Sequence, residues 1–300
     1  MKKRVPTFLI IGAGKSGTTS LYHYLAQHPD IYMAPVKETH YFTFGGKKPA
    51  FNGPRAELFN NDVIWKEADY HALFEGVSHE RAIGENSPTY LWVPGTAERI
   101  QKTIPDVKLI CILRNPIERV FSSFSMAIRD GYEPCRTLEE ALDDEKRRIE
   151  EGWMLNTYLY SAFYGAQLAV YLRLFKKEQL SIHLFDDFIA TPEMVLRDIF
   201  RFLNVEESFV PDMREKFNVS GVIENPLLRL IWTKSHGLRD LLRPILSRKT
   251  RDTISKYFVM AKKRKIEFPQ RTRQRLINIF HDDIIKLQSL IGRDLSQWLE

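Results

Sequence analysis

The chain has 300 residues, 44% hydrophobic, 12% aromatic and 27% charged, proportions that fit one sizeable globular domain over residues 1–300 and argue against extended disorder. No run of about 18 apolar residues occurs, so the sequence offers no membrane-spanning helix, and two cysteines, Cys111 and Cys135, are too few for a disulfide framework and point to a reducing, cytoplasmic setting. The net charge of +6 is concentrated: residues 226–265 hold twelve Lys/Arg against two Asp, whereas the rest of the chain holds 32 basic and 36 acidic residues.

The basic start, MKKR, precedes only a short apolar run, which reads as a strand and not as a secretory signal. TFLIIG from Thr7 has the continuous apolarity of a central parallel strand. A glycine-rich turn follows, then a helix from Thr18 with Leu21, Tyr24 and Leu25 at helical spacing, stopped by HPD. IYMAP gives a second short strand, and residues 43–62, rich in Gly, Pro, Asn and Lys, a surface loop. AIGENSPTYLW from Ala82 reads as a strand ending in a turn. VKLICIL from Val107 is the clearest strand, and RNPIERVFSSFSMAI after it a helix with Pro116 in its first turn. Residues 155–175 read as a Tyr/Leu-rich helix and LSIHLFDDF as a strand. TPEMVLRDIFRFLNV reads as a helix with Thr191 as N-cap, Pro192 at its first position and Glu193 in its first turn. Strands alternating with helices predict an α/β fold, a mostly parallel sheet covered on both faces, with ligands at the carboxyl ends of the strands.

GAGKSGTTS approaches a Walker A loop, but G-x-x-x-x-G-K-[ST] would need glycine at Leu9. Gly12 and Gly14 permit the turn, and Gly17 permits close approach of a ligand. The hydroxyls of Ser16, Thr18, Thr19 and Ser20 crowd a helix N-terminus that favours a single phosphate. Lys15 stands where it neutralises the next group along. At the end of the Val107 strand comes Arg114, with Ser122 two helical turns on, a bidentate grip plus one donor. A triphosphatase would present an aspartate for magnesium at that place; here the residues are Arg114-Asn115, which weakens a metal-dependent kinase reading.

GAGKSGTTSL and LRNPIERVFSS resemble the two nucleotide-binding signatures of sulfotransferases that use 3′-phosphoadenosine-5′-phosphosulfate (PAPS), and most of all their carbohydrate branch, the heparan sulfate sulfotransferases and bacterial relatives. The likeness is strongest over residues 5–42 and 106–126, and a weaker version reaches IGRDLSQWL near the end of the chain. It implies a P-loop-like three-layer fold with a helical C-terminal region. It also implies that Lys15, Ser16, Gly17, Thr18, Thr19 and Ser20 hold the 5′-phosphosulfate and that Arg114 and Ser122 hold the 3′-phosphate, with no metal required. In APVKETHYF, Glu38 and His40 lie two apart, on the same side if the segment is extended. The resemblance makes Glu38 the general base, His40 its assistant and Lys37 a donor contact. One departure is Asn86, where the heparan branch commonly has lysine, and it bears on a heparan-like acceptor. Ser87 and Tyr90 either line the acceptor cleft or form a structural turn. His71, His79 and His183 are surface or core residues, since no HExxH or CxxC spacing occurs.

The function implied is sulfuryl transfer from PAPS to an acceptor hydroxyl, on a sugar or glycan, with no nucleic-acid partner. A lipid or small-molecule alcohol as acceptor, a P-loop kinase or NTPase, and a non-catalytic binding module are the alternatives. FNVSGVIENP from Phe217 is a candidate loop over the nucleotide. In NPLLRLIWTKSHGLRDLLRPILSRK, Leu227, Leu228, Ile231, Leu238, Leu241 and Leu242 share a helical surface interrupted by Gly237 and Pro244. That basic helical segment packs on the core, grips an anionic glycan or makes peripheral membrane contact.

Overall fold

Strands β1 (Phe8–Gly12), β2 (Ile31–Met33), β3 (Ala82–Asn86), β4 (Lys108–Leu113) and β5 (Leu180–Leu184) form one sheet in the order β2-β3-β1-β4-β5, every pair parallel. The computed structural model describes residues 4–214, 222–223, 263–264 and 268–300. Because side chains alternate across a strand, Leu9 and Ile11 enter one core and Phe8 and Ile10 the other. This double burial is why β1 reads as an unbroken apolar run.

On one face the helices Thr96–Thr103, Tyr164–Leu174 and Gln270–Ile291 contribute Ile100, Leu168, Leu276 and Phe280. On the other, Thr18–Leu25 and Pro192–Leu203 contribute Leu21, Leu25, Leu196 and Phe200. The result is three layers, with a helical C-terminal region completing the first. At Gly84 a Cβ would come within 2.1 Å of the Phe8 ring, so the central strands meet where only glycine fits.

The β1–β4 register slips between Ile10 and Gly12, at the point where the chain leaves β1 for the glycine loop. β1 has β3 on one side and β4 on the other. The loops after these three strands therefore share one rim of the sheet, the crevice where strand order reverses.

Several expectations are corrected. Within residues 43–62 the chain is partly helical, Tyr41–Phe44 and Ala56–Asp62, because Phe44, Phe51 and Phe59 cluster with ring centroids 5.1–6.4 Å apart. The helix expected over 155–175 covers only Tyr164–Leu174, after a short 3₁₀ turn at Tyr160–Ala162. Upstream, the Glu145 carboxylate accepts the amides of Tyr158, Leu159 and Tyr160 at 2.7–2.9 Å and holds them out of the helix. LSIHLFDDF is a strand only to Leu184; Phe185–Ala190 is helical, with Asp186 and Asp187 in its first turn. Thr191 makes no side-chain cap, its Oγ1 donating instead to the Asp187 carbonyl at 3.2 Å.

The amphipathic reading of residues 226–265 and most of FNVSGVIENP lie outside the described residues. From these stretches only β6 (Val222–Ile223) and β7 (Lys263–Arg264) are described, paired antiparallel. No described helix is long and apolar enough to cross a membrane.

Candidate active site

The loop after β1 carries its backbone through the left-handed region at Lys15 (φ 69°) and Gly17 (φ 85°). Gly17 is the N-cap of the Thr18–Leu25 helix, and a Cβ there would meet the rings of Phe185 and Phe188 at 3.2 Å. No side chain caps this helix and its first turn has no acidic residue, so its amide-rich end is left for an anion. Ser16 and Thr18 are buried. Thr19 Oγ1 accepts a hydrogen bond from Lys37 Nζ at 2.7 Å. Ser20 is half-buried on the same turn.

Lys15 Nζ lies 3.2 Å from Met126 Sδ. Burial, helped by the positive charges of Arg129 and Arg114, brings its pKa down to about 8, although Asp130 and Glu38 pull the other way. Such a cation gains from an added anion.

At the end of β4, Arg114 Nη1 donates to the Lys15 carbonyl at 3.4 Å, and its guanidinium lies over the Phe185 ring, 5.0 Å from the centroid. It is also 3.9 Å from Glu118. Ser122 is buried on the Pro116–Asp130 helix, whose N-cap is Asn115, accepting the amides of Ile117 and Glu118 at 2.9 and 3.4 Å.

Arg119 was not singled out from the sequence. It is 5% exposed, and its guanidinium donates to the carbonyls of Gly14 (3.2 Å) and Tyr158 (3.3 Å) and to Ser161 Oγ (2.8 Å). No ion pair to it is found among the described residues. The signal was an arginine among Ile117, Val120 and Phe121 on the buried side of the helix.

The third loop carries Glu38 and His40. Glu38 N donates to the Asn86 carbonyl at 2.8 Å, tying this segment to the end of β3. The segment is not extended as expected: Glu38 (φ 61°) and His40 (φ 56°) are both left-handed. Among the described residues five non-glycine positions have positive φ, and three of them are Lys15, Glu38 and His40. Backbone strain of this kind gathers at functional sites.

Burial alone would raise the Glu38 carboxyl, but the charge and hydrogen bond of Lys37, with the charge of Lys15, outweigh it and the pKa falls. Lys37 Nζ is 3.1 Å from its Oε1. Burial draws His40 down to about 4, so its ring is neutral near pH 7. That ring packs on Phe59 (4.8 Å between centroids), with Nδ1 2.7 Å from Thr89 Oγ1. Near pH 7 Glu38 is therefore ionised and His40 a neutral hydrogen-bonding neighbour.

Asn86, Ser87 and Tyr90 are fully buried. Neither polar atom of the Asn86 amide has a hydrogen-bond partner among the described residues. Ser87 and Tyr90 turn their hydroxyls onto Glu85, so of their two readings the structural turn holds. His71 and His79 bond near the surface, and His183 lies 2.7 Å from Ser181 Oγ. Among the described residues no group of three or more His, Cys, Asp or Glu is placed to hold a metal ion.

The profile of the sulfotransferase family matches residues 6–209. The crystal structure of a sulfotransferase from Alicyclobacillus acidocaldarius superposes with a TM-score of 0.77 at 35% identity, covering 99% of this chain and 100% of that one. The membrane-associated sulfotransferase kil1 of Dictyostelium discoideum is 34% identical over 125 residues, 42% of this chain and 24% of its own length. Carbohydrate sulfotransferase 15 of Mus musculus is 27% identical over 256 residues, 67% of this chain and 44% of its own length. The chain thus spans less than half the length of either curated relative.

Proposed function

The chain belongs to the sulfotransferase family, and we propose that it moves the sulfuryl group of PAPS to an acceptor hydroxyl, on a sugar or glycan. The observation that carries this reading is the joint between the two anion-facing loops: Arg114 at the end of β4 bonds the backbone of Lys15 after β1. A helix N-terminus and two cations thereby face one crevice, as a nucleotide with separate 5′ and 3′ anionic groups requires.

In this reading Lys15 and the amides of Ser16, Gly17, Thr18, Thr19 and Ser20 hold the 5′ end of the donor, and Arg114 with Ser122 the 3′-phosphate. PAPS supplies an electrophilic sulfur with a phosphate leaving group. Glu38 takes the proton of the acceptor hydroxyl as its oxygen bonds to sulfur. Lys15 neutralises the charge that develops on the departing phosphate oxygen as the sulfur–oxygen bond breaks. Positioning and charge stabilisation carry such a transfer.

The sugar acceptor is supported by the name of the mouse relative. The unpartnered Asn86 amide, in place of a cation, supports an acceptor unlike heparan. Both cysteines are free, in keeping with a reducing, cytoplasmic compartment. A single domain is supported by one core in which Leu9 of β1 and Trp298 near the chain's end both take part.

Differential scanning fluorimetry tests the donor. Adenosine 3′,5′-bisphosphate should raise the unfolding temperature, and ATP with magnesium at the same concentration should not. The converse result would favour the kinase alternative.

A further inference from the structure

Glu85 is fully buried in β3 and holds no cation among the described residues. Its four acceptor directions are filled by hydroxyls. Thr39 Oγ1 (2.8 Å) and Ser87 Oγ (2.5 Å) donate to Oε1, and Tyr90 OH (2.8 Å) and Tyr70 OH (3.3 Å) donate to Oε2. Three of these hydroxyl oxygens then accept successive backbone amides: Ser87 from His40 (3.0 Å), Thr39 from Tyr41 (3.3 Å) and Tyr90 from Phe42 (3.3 Å). Those amides are the open end of the Tyr41–Phe44 helix, which directly follows the left-handed pair Glu38 and His40.

We propose that Glu85 is a positioning residue for the proton acceptor: through three hydroxyl relays it fixes the backbone turn that presents Glu38 and His40 to the crevice. The directions of the protons make this specific to a carboxylate. A hydroxyl can accept from an amide only if its own proton points elsewhere, and here each proton points at Glu85. Glutamine has nearly the same shape, but its NH2 must itself donate. One pair of hydroxyls then loses its acceptor and must turn its protons elsewhere, in competition with the amides behind them. The inference rests on Glu38 as the base but has a readout independent of it.

The test is Glu85→Gln in the full chain. With PAPS and a working acceptor, kcat should fall roughly 10- to 100-fold, the scale of a misplaced reacting group, while the Kd for adenosine 3′,5′-bisphosphate stays within about twofold, because Lys15 and Arg114 are untouched. The acid limb of the kcat–pH profile should survive, since the proton acceptor is still Glu38; its disappearance would make Glu85 the base and overturn the proposal. By hydrogen exchange, protection should fall among the amides of His40, Tyr41 and Phe42, at those behind the hydroxyl pair that faces the new NH2, while those of β1 and β4 keep theirs. Unchanged exchange at these three amides, or unchanged kcat, also overturns it. If the wild type binds the bisphosphate yet transfers nothing, the activity reading fails and the exchange result alone decides the role of Glu85. Should Glu85→Gln not fold, Thr39→Val, which removes one relay, is read by the same exchange at Tyr41.

Discussion

Lys15 is a cation that folding has made weaker, with a pKa of about 8. A bound phosphate favours the ammonium form, so above pH 8 binding must take up a proton, and affinity falls as pH rises. Titration calorimetry with adenosine 3′,5′-bisphosphate should show weaker binding at pH 9 than at pH 7. Lys15→Ala should bind more weakly throughout and lose that slope; a wild type with no slope would remove Lys15 from the donor site. Glu38→Gln should keep bisphosphate binding and lose turnover by roughly 10²–10⁴-fold, the usual worth of a general base. Unaltered turnover in product-formation assays would assign the proton to another group. Arg119 gives a structural contrast. Replacing it with Met strands the acceptors at Gly14, Tyr158 and Ser161 and should cost about 1–3 kcal/mol in urea unfolding. The places of Lys15 after β1 and Arg114 after β4 were legible because strand, turn and helix stand consecutively in the chain. Arg119 and Glu85 were not, since their meaning lies in partners up to 105 residues away.

Among the elements, the strands and the two site helices were legible because a strand buried on both faces has a continuous apolar signature and because Pro116 marks a helix start. The aromatic anchoring of residues 43–62 and the three amides held by Glu145 are tertiary effects with no local pattern. The left-handed turn at Glu38 and His40 escaped for the same reason, two of its hydroxyl supports, Ser87 and Tyr90, coming from the turn after β3. The junction from β1 into its helix is the most demanding element. Gly17 combines φ 85° with aromatic rings 3.2 Å from any Cβ. Gly17→Ala should lose at least about 1–2 kcal/mol from the left-handed backbone alone. It should also weaken bisphosphate binding, because the displaced loop carries the helix N-terminus. Wild-type affinity in a folded Gly17→Ala protein would separate the loop from the donor.

Across the whole molecule, β1 and the C-terminal helix share one core, which predicts a single unfolding transition by both fluorescence and circular dichroism. Its pH dependence is set by opposed groups. The folded pKa values of His40 and His183 are depressed by burial. Below about pH 6.5 the unfolded chain takes up protons that the folded one refuses, so stability falls with pH. Burial raises Glu85, Glu145 and Asp283. Their folded forms hold the proton more tightly, so their contribution grows as pH falls through the raised values and partly offsets the histidines. Burial would also raise Asp130 and Glu133, but Arg129 and Arg148 keep them low. Their contribution is present above the ordinary carboxyl range and is lost at still lower pH. The buried His40 shift, down to about 4, corresponds to a loss on the order of 3 kcal/mol between pH 6.5 and 4. Urea unfolding at pH 7, 5.5 and 4.5 should therefore show stability declining with acid, and His40→Asn should decline less over the same interval. Equal slopes in the two proteins would mean that His40 does not titrate as a buried neutral ring, and the neutral-neighbour role drawn for it beside Glu38 would go with it.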